Sequence, residues 1–203
     1  MNLKHLGDAL DHWKGSVIEL IGEKRLRVLP MLTDQDRWTS DHFNVYARLL
    51  RLKTQHILRR KVSFPGQTRS TYFSRLREYD LFVDPDTGIA SDKKRKKEHI
   101  SPAEIASLLP RSSSRLLLIY QQRFQRKEMK ETLKLVLSID SLRELHRFAY
   151  DAGAVGMVFI SRSRKRINGV LSRVRSLLGP VACVDGRSQL PGRIFAPETS
   201  QSR

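Results

Sequence analysis

The chain has 203 residues, 39% hydrophobic and 29% charged, a balance that suits one globular domain and argues against wholesale disorder. Its 38 Lys and Arg against 21 Asp and Glu give a formal net charge of +17, which favours a polyanionic partner, most commonly nucleic acid. The one cysteine, Cys183, excludes an intrachain disulfide and a cysteine-based zinc site. No apolar run reaches the length of a membrane span, so we expect a soluble, cytoplasmic protein without a membrane partner.

The spacing of apolar residues predicts the elements of the first half of the chain. In chain order these are a helix over 3–21, a strand over 26–32, a helix over 40–52, a strand over 56–64, a helix over 70–78 and a strand over 80–84. Gly15 interrupts the apolar stripe of the first helix and Gly22 ends it. Pro30 predicts that the first strand bends at its end or lies at a sheet edge, because proline cannot donate a ladder hydrogen bond.

The second half continues the alternation of helices and strands. Ser101, Pro102 and Glu104 have the spacing of a capping box with proline at the first helical position, which predicts a helix start. Further elements follow as a strand over 114–121, a helix over 126–138, two strands around a turn at 151–153, and a last helix ended by Gly179. The apolar face of the last helix is predicted to consist of Ile167, Val170, Leu171, Val174, Leu177 and Leu178.

Strands that alternate with helices predict an α/β fold of the Rossmann-like kind, with a mostly parallel sheet and helices on both of its faces. We assign residues 1–184 to a single α/β domain. Residues 185–203 are polar and rich in turn formers, and we expect them to be a flexible C-terminal tail.

An acidic turn, YDLFVDPDTGI at 79–89, follows one of the predicted strands. Asp84 ends the strand, Pro85 stiffens the backbone, Asp86 follows in the turn and Gly88 permits a close approach to a ligand. Ligands of open α/β sheets bind outside the carboxyl ends of the strands, so Asp84 and Asp86 are the candidate catalytic residues. The alternative is that Asp and Pro serve here only as good turn formers.

This stretch resembles the fourth motif of Rossmann-like methyltransferases that modify nucleic acid. In that motif a hydrophobic strand ends in an acidic or amide residue, followed by Pro-Pro and an aromatic residue. Asp84 and Pro85 match the motif, whereas Asp86 and Thr87 replace the second proline and the aromatic residue. The resemblance implies that Asp84 and Pro85 hold the target amine.

The same resemblance implies S-adenosylmethionine as the cofactor. Such enzymes cradle it with a glycine-rich turn after the first strand, but TDQDRW follows the first predicted strand here and contains no glycine. The candidate cofactor-binding residues are therefore Asp34, Asp36, Pro85 and Gly88.

The chain is also similar to an uncharacterised group of bacterial and phage-associated proteins. Those proteins carry a strand ending in Asp-Pro-Asp-Asn-Gly, a later Leu-Leu-Ile-Tyr-Gln strand, and an early Gly-Asp with a nearby Lys. The counterparts are DPDTG, LLLIYQ at 116–121, and Gly7-Asp8 with Lys14. This similarity implies a fold but no established activity.

Two other functions fit the same acidic turn. Asp84 and Asp86 are oxygen ligands of the kind that Mg²⁺ prefers, and a bound Mg²⁺ would make the protein a metal-dependent nuclease. The third alternative is a non-enzymatic nucleic-acid-binding or accessory protein in which the DPDTG turn is structural.

Two basic clusters are the candidate nucleic-acid-binding residues. The first is the run Lys93, Lys94, Arg95, Lys96 and Lys97, and the second comprises Arg162, Arg164, Lys165 and Arg166. The second cluster opens the last predicted helix, where cations oppose the helix dipole, so its position indicates a nearby anion.

Overall fold

The computed structural model describes residues 3–23, 26–32, 37–59, 73, 76, 79–90, 98–124, 126–179 and 183–185. The α-helices in these ranges are α1 (Ala9–Ile21), α2 (Ser40–Leu49), α3 (Pro102–Leu108), α4 (Met129–Leu137) and α5 (Arg164–Leu178). The strands are β1 (Arg27–Pro30), β2 (Leu81–Asp84), β3 (Gly88–Ile89), β4 (His99–Ile100), β5 (Leu117–Gln122), β6 (His146–Asp151), β7 (Val155–Ser161) and β8 (Cys183–Asp185). Short 3₁₀ turns occupy Leu3–His5, Thr54–His56 and Asp140–Leu142.

Six strands form one sheet in the order β1-β2-β5-β7-β6-β8. Strands β1, β2 and β5 pair in parallel, β7 runs antiparallel between β5 and β6, and β8 pairs antiparallel with β6. Four of the six strands therefore run in the same direction. Strands β3 and β4 form a separate two-stranded parallel pair next to the acidic turn.

Two apolar layers cover the two faces of the sheet. Helices α1, α2 and α5 pack on the face that presents Val28, Phe82 and Phe159. Helices α3 and α4 pack on the opposite face, which presents Val83 and Ile119. The prediction of an α/β fold with a mostly parallel sheet and helices on both faces is thus confirmed.

Most predicted elements are found close to their expected positions. Pro30 is the last residue of β1, the first strand in the sheet order, as expected for a residue that cannot donate a ladder hydrogen bond. The predicted capping box is also present, since the Ser101 side chain accepts from the Glu104 backbone and the Glu104 carboxylate accepts from the Ser101 backbone.

Two helix predictions need correction. Helix α1 begins at Ala9 rather than at residue 3, because Asp8 caps it and a 3₁₀ turn precedes it. On α5, Ile167, Val170 and Val174 are buried as predicted. Leu177 and Leu178 are instead 64% and 37% exposed. The strand predicted over 56–64 is not found in its described part, where a 3₁₀ turn ends at His56 and Ile57 makes an isolated bridge with Val28. The predictions for residues 60–72 and for the tail over 186–203 lie outside the described residues.

Gly15 lies inside α1 and does not interrupt the helix. A Cβ atom at this position would lie 2.2 Å from the carbonyl oxygen of Leu49 on α2. The missing side chain therefore allows the backbones of α1 and α2 to come into direct contact.

Replacing Gly15 by alanine should lower the free energy of unfolding by about 1–3 kcal/mol, because the added methyl group forces α2 away. The matched control is Gly169→Ala in α5, where a Cβ atom meets nothing within 4 Å. That control should raise stability by up to about 1 kcal/mol through helix propensity. Urea unfolding of the three proteins measures both effects, and equal gains for the two variants would contradict the close contact.

Candidate functional site

A buried polar cluster lies at the carboxyl end of β2. The Lys14 ammonium is 2.9 Å from Oδ2 of Asp84, the last residue of β2, and 3.1 Å from Oδ1 of Asp11. The Tyr46 hydroxyl donates a 2.5 Å hydrogen bond to the same Asp84 oxygen. Helix α1, helix α2 and strand β2 thus each contribute a polar side chain to one cluster, which we call the lysine cluster (Asp11, Lys14, Tyr46 and Asp84).

The start of α1 is built to hold Asp11 and Lys14 in place. Asp8 caps the helix, and its carboxylate accepts from the backbone N–H groups of Leu10 and Asp11 at 2.9 and 3.2 Å. The Gly7 N–H donates to Oδ2 of Asp11 at 2.9 Å. Because Asp11 and Lys14 are three residues apart on a helix, their side chains lie on the same face and point at the end of the sheet.

Burial and charge pairing decide the protonation states in the lysine cluster. Burial alone would lower the pKa of Lys14, but the carboxylates of Asp84 and Asp11 outweigh burial and hold its pKa above the ordinary value. Burial raises the pKa of Asp11, although Lys14 opposes this shift. Burial and the Asp84 charge together raise the pKa of Tyr46. At neutral pH Lys14 is therefore a fixed cation, not a base or a nucleophile.

The Tyr120 ring completes the surroundings of Lys14. The Lys14 ammonium lies 4.4 Å from the ring centroid, a cation–π distance, and Trp13 packs edge-on against the same ring. Burial raises the pKa of Tyr120 to about 12, so its hydroxyl stays protonated at neutral pH. Tyr120 is only 2% exposed, so in this conformation its ring cannot stack against a nucleic-acid base.

The DPDTG turn is tied to strand β5 next to the lysine cluster. The Ile89 N–H donates to Oε1 of Gln121 at 2.8 Å, and the Gln122 N–H donates to the Thr87 carbonyl at 3.2 Å. Gly88 has a φ of +107°, and a Cβ atom there would lie 2.5 Å from the Gln121 side chain. The close approach that the sequence predicted for Gly88 is therefore an approach to Gln121.

The site residues predicted from the sequence are brought together only in part. Asp84, Pro85 and Gly88 lie at the carboxyl end of β2, with Asp84 and Pro85 buried and Asp86 half-buried. Asp34, Asp36 and the basic run over 93–97 lie outside the described residues. Asp84 is not an open carboxylate, since its Oδ2 atom already accepts from Lys14 and Tyr46.

The metal-binding alternative requires more ligands than the acidic turn supplies. Among the residues that the structure describes, no group of three or more His, Cys, Asp or Glu side chains is arranged to hold a metal ion. At Asp84 the nearest cation is the Lys14 ammonium, which takes the position that a metal ion would need beside Oδ2.

The basic cluster at the start of α5 divides into two kinds of residue. Arg162 donates from Nε to the Leu109 carbonyl at 2.7 Å, and Arg166 donates to Glu23 and Asp80, both at 2.5 Å. The other two residues, Arg164 and Lys165, are exposed. Half of the predicted cluster thus has structural partners, and the other half faces solvent.

The cluster borders a cleft of about 1320 Å³ at the amino end of the parallel strands, opposite the lysine cluster. Arg27 begins β1, Asp80 precedes β2 and Arg115 lies two residues before β5. The cleft is lined by Gly22, Glu23, Arg27, Gln55, His56, Tyr79, Asp80, Ser113, Ser114, Arg115, Ser163, Lys165, Arg166, Gly169 and Arg173. We call this feature the amino-edge cleft.

Lys14 was named only through the resemblance to the uncharacterised group, and Asp11, Tyr46, Tyr79 and Arg115 were not predicted as site residues. The spacing of Asp11 and Lys14 could have indicated a charge pair on α1, and an arginine at the start of an apolar run could have drawn attention to Arg115. Tyr46 and Tyr79 gave no signal that separates them from ordinary packing residues.

Comparisons with known proteins add no identification. A scan against protein-family models finds no matching family, and searches of the curated proteins and of the solved structures find no significant match. Within the described part of the chain, no helix has the length and apolar character needed to cross a membrane.

Replacing Lys14 by methionine should lower the free energy of unfolding by about 3–5 kcal/mol at pH 7, because it leaves the buried Asp11 and Asp84 carboxylates without their cation. The loss should shrink as the pH falls. Burial already raises the pKa of Asp11 above 3.8, and removal of Lys14 raises it further, so the folded variant takes up the proton before the unfolded chain does.

Urea unfolding between pH 7 and pH 4 measures the difference in free energy of unfolding between the parent and Lys14→Met. The control is Lys130→Met at an exposed position on α4, which should stay within about 0.5 kcal/mol of the parent. A loss below about 1 kcal/mol, or a gap that does not change with pH, would show that the lysine cluster is not a buried charge network.

Proposed function

We propose that this protein binds nucleic acid as its principal activity. The observation that carries the proposal is the distribution of charge around the amino-edge cleft. Five cations line it, namely Arg27, Arg115, Lys165, Arg166 and Arg173, against the two carboxylates Glu23 and Asp80. The local excess of three positive charges belongs to a chain with a formal net charge of +17.

The first turn of α5 supports the same function. It holds three basic residues and no acidic residue, so the helix dipole and the side chains both present positive charge at one place. Glu23 and Asp80 pair with Arg166 and offset part of this charge, while Arg164 and Lys165 stay exposed. A phosphate backbone supplies an anion for these two exposed cations, and release of its condensed counterions drives binding at low salt.

A second candidate, a divergent methyltransferase of Rossmann-like fold that uses S-adenosylmethionine, has one specific observation in its favour. Asp84 ends, and Pro85 follows, a parallel strand that has parallel neighbours on both sides, beside the start of α1. Small ligands of open α/β sheets bind at such carboxyl ends. In this candidate Asp84 and Pro85 would hold the target amine, with Lys14 and Tyr46 fixing the carboxylate.

A Mg²⁺-dependent nuclease that uses Asp84 and Asp86 has less support. A metal ion at Asp84 would have to displace the Lys14 ammonium from Oδ2, which would leave a buried lysine charge with one carboxylate fewer. A non-enzymatic nucleic-acid-binding protein, in which the DPDTG turn is structural, agrees with the principal proposal. It differs from the methyltransferase candidate in assigning no substrate to the lysine cluster.

If the protein binds nucleic acid, fluorescence anisotropy with labelled 20-nucleotide single-stranded DNA, duplex DNA and RNA should detect a complex at low salt. The affinity should fall steeply and linearly on a log–log plot between about 50 and 200 mM salt, because each phosphate contact releases a counterion. A small protein with a similar formal net charge to the +17 of this chain serves as the control for attraction by net charge alone. Absence of binding to all three oligonucleotides at low salt would refute the proposed function.

The methyltransferase candidate predicts that calorimetric titration with S-adenosylmethionine shows micromolar binding. Gly88→Ala should weaken that binding by about tenfold or more, because the new methyl group would meet the Gln121 side chain at 2.5 Å and move the turn. Gly153→Ala is the matched control, since Gly153 also has a positive φ, +83°, but lies in the turn between β6 and β7. No heat of binding with the parent protein would remove this candidate and leave nucleic-acid binding unaffected.

A further inference from the structure

We propose that the amino-edge cleft is the place where nucleic acid binds, and that Arg115 at its wall is a built-in receptor for one backbone phosphate. This inference rests on the proposed function and names the site and the chemical group that it recognises. It also separates the binding site from the lysine cluster, which lies at the opposite end of the sheet.

Arg115 is held like a receptor side chain. It is only 7% exposed, and its Nη1 atom donates to the carbonyl oxygens of Leu76 and Leu108 at 2.5 and 3.2 Å. These two bonds fix the plane of the guanidinium. The remaining donors, Nε and Nη2, are buried without a hydrogen-bond partner among the residues that the structure describes.

A buried N–H group without an acceptor is costly, so two of them on one side chain indicate an acceptor that comes from outside. Nε–H and Nη2–H form one edge of the guanidinium, and their parallel spacing matches two oxygens of a phosphate group. Burial lowers the pKa of Arg115 only to about 10, so the side chain carries its full charge at neutral pH.

The neighbouring carboxylates are already engaged elsewhere. Oδ1 of Asp80 accepts from the Leu116 N–H at 2.6 Å and its Oδ2 accepts from Arg166. Glu23 is paired with Arg166 and, at 3.5 Å, with Arg173. The two acidic side chains of the cleft thus hold Arg166 and Arg173, and the Asp80 charge also acts on Arg115 without a hydrogen bond to it. The Nε–Nη2 edge of Arg115 is buried, so it meets a phosphate when the side chain turns toward the cleft.

Two features favour a nucleic acid over a single phosphate ion. The cleft volume of about 1320 Å³ exceeds the range of about 300–1000 Å³ that is usual for small-molecule pockets. Tyr79 on its wall is 38% exposed, and the Arg27 guanidinium lies 5.0 Å from the ring centroid. An exposed ring beside an arginine, in a cleft with an excess of cations, is a combination that stacks a base while charge holds the backbone.

The decisive variants alter the cleft, and those at Gly169 do so at an exposed position outside the core. Gly169 is on α5, faces the cleft, and a Cβ atom there meets nothing within 4 Å. Gly169→Glu places a carboxylate in the cleft, and Gly169→Gln places an uncharged side chain of the same size there. Lys130→Gln on α4 changes the net charge by the same single unit as Gly169→Glu but lies outside the cleft. Arg115→Lys keeps the charge and removes the guanidinium edge.

Anisotropy titrations with the same 20-nucleotide oligonucleotides at about 50 mM salt should show about tenfold weaker binding for Gly169→Glu and for Arg115→Lys. Gly169→Gln and Lys130→Gln should stay within about twofold of the parent. A competition titration with inorganic phosphate tests whether the cleft binds the phosphate of a nucleic acid or free phosphate. Displacement only at molar-range concentration is expected for an extended ligand, and displacement at micromolar concentration would overturn the assignment to nucleic acid.

These titrations distinguish the location of the binding site from nucleic-acid binding itself. If the parent binds oligonucleotides and Gly169→Glu binds them equally well, the cleft is not the site, while the proposed function stands. If the parent binds none, both fail. If Arg115→Lys does not fold, the Gly169 pair still decides the location, and Arg115 is then tested by the shift of its Nε–H resonance in a ¹H–¹⁵N spectrum on addition of the oligonucleotide. An unchanged resonance would rule out the phosphate contact.

Discussion

The carboxyl end of the sheet depends on one interaction, the buried contact of the Lys14 ammonium with the carboxylates of Asp11 and Asp84. It joins α1 to β2 across 70 residues of chain, and Tyr46 adds α2 to the same oxygen. Removing Lys14 would leave two buried carboxylates without a counterion, and breaking a buried pair in this way is strongly destabilising. Both helices are therefore held at fixed positions on the sheet, and the missing side chain at Gly15 allows their backbones to touch.

The two ends of the sheet differ in the burial and in the balance of their charged side chains. At the carboxyl end the single cation Lys14 lies between the two carboxylates of Asp11 and Asp84, and all three side chains are shielded from solvent. At the amino end, cations of the cleft outnumber carboxylates by five to two and the cleft is open. The long-range field that attracts a phosphate backbone depends on the net charge of a region, which at the cleft is an excess of three positive charges. The general rule that α/β proteins bind ligands at the carboxyl ends of strands applies to small ligands, and it does not determine where a polyanion docks.

Local patterns were enough to predict much of the fold. The spacing of apolar residues located the strands β1, β2, β5, β6 and β7 and the helices α1, α2, α4 and α5, and the capping box located α3. Asp84 was correctly expected at a strand end because hydrophobic residues lead into it and a proline follows. What the sequence could not predict are contacts between distant segments. Nothing in a local window indicates that Lys14 reaches Asp84, or that Arg115 keeps one guanidinium edge without a partner among the described residues.

The contrast between the two ends of the sheet is tested most directly by photo-crosslinking. An oligonucleotide that carries thio-substituted bases would be bound to the parent protein, irradiated and mapped by mass spectrometry of the peptides. If nucleic acid binds in the amino-edge cleft, the crosslinks should fall on residues that line it, above all on the exposed ring of Tyr79. Crosslinks concentrated instead at the carboxyl end, on Trp13 or Gln122, would contradict it and would make the lysine cluster part of the nucleic-acid site.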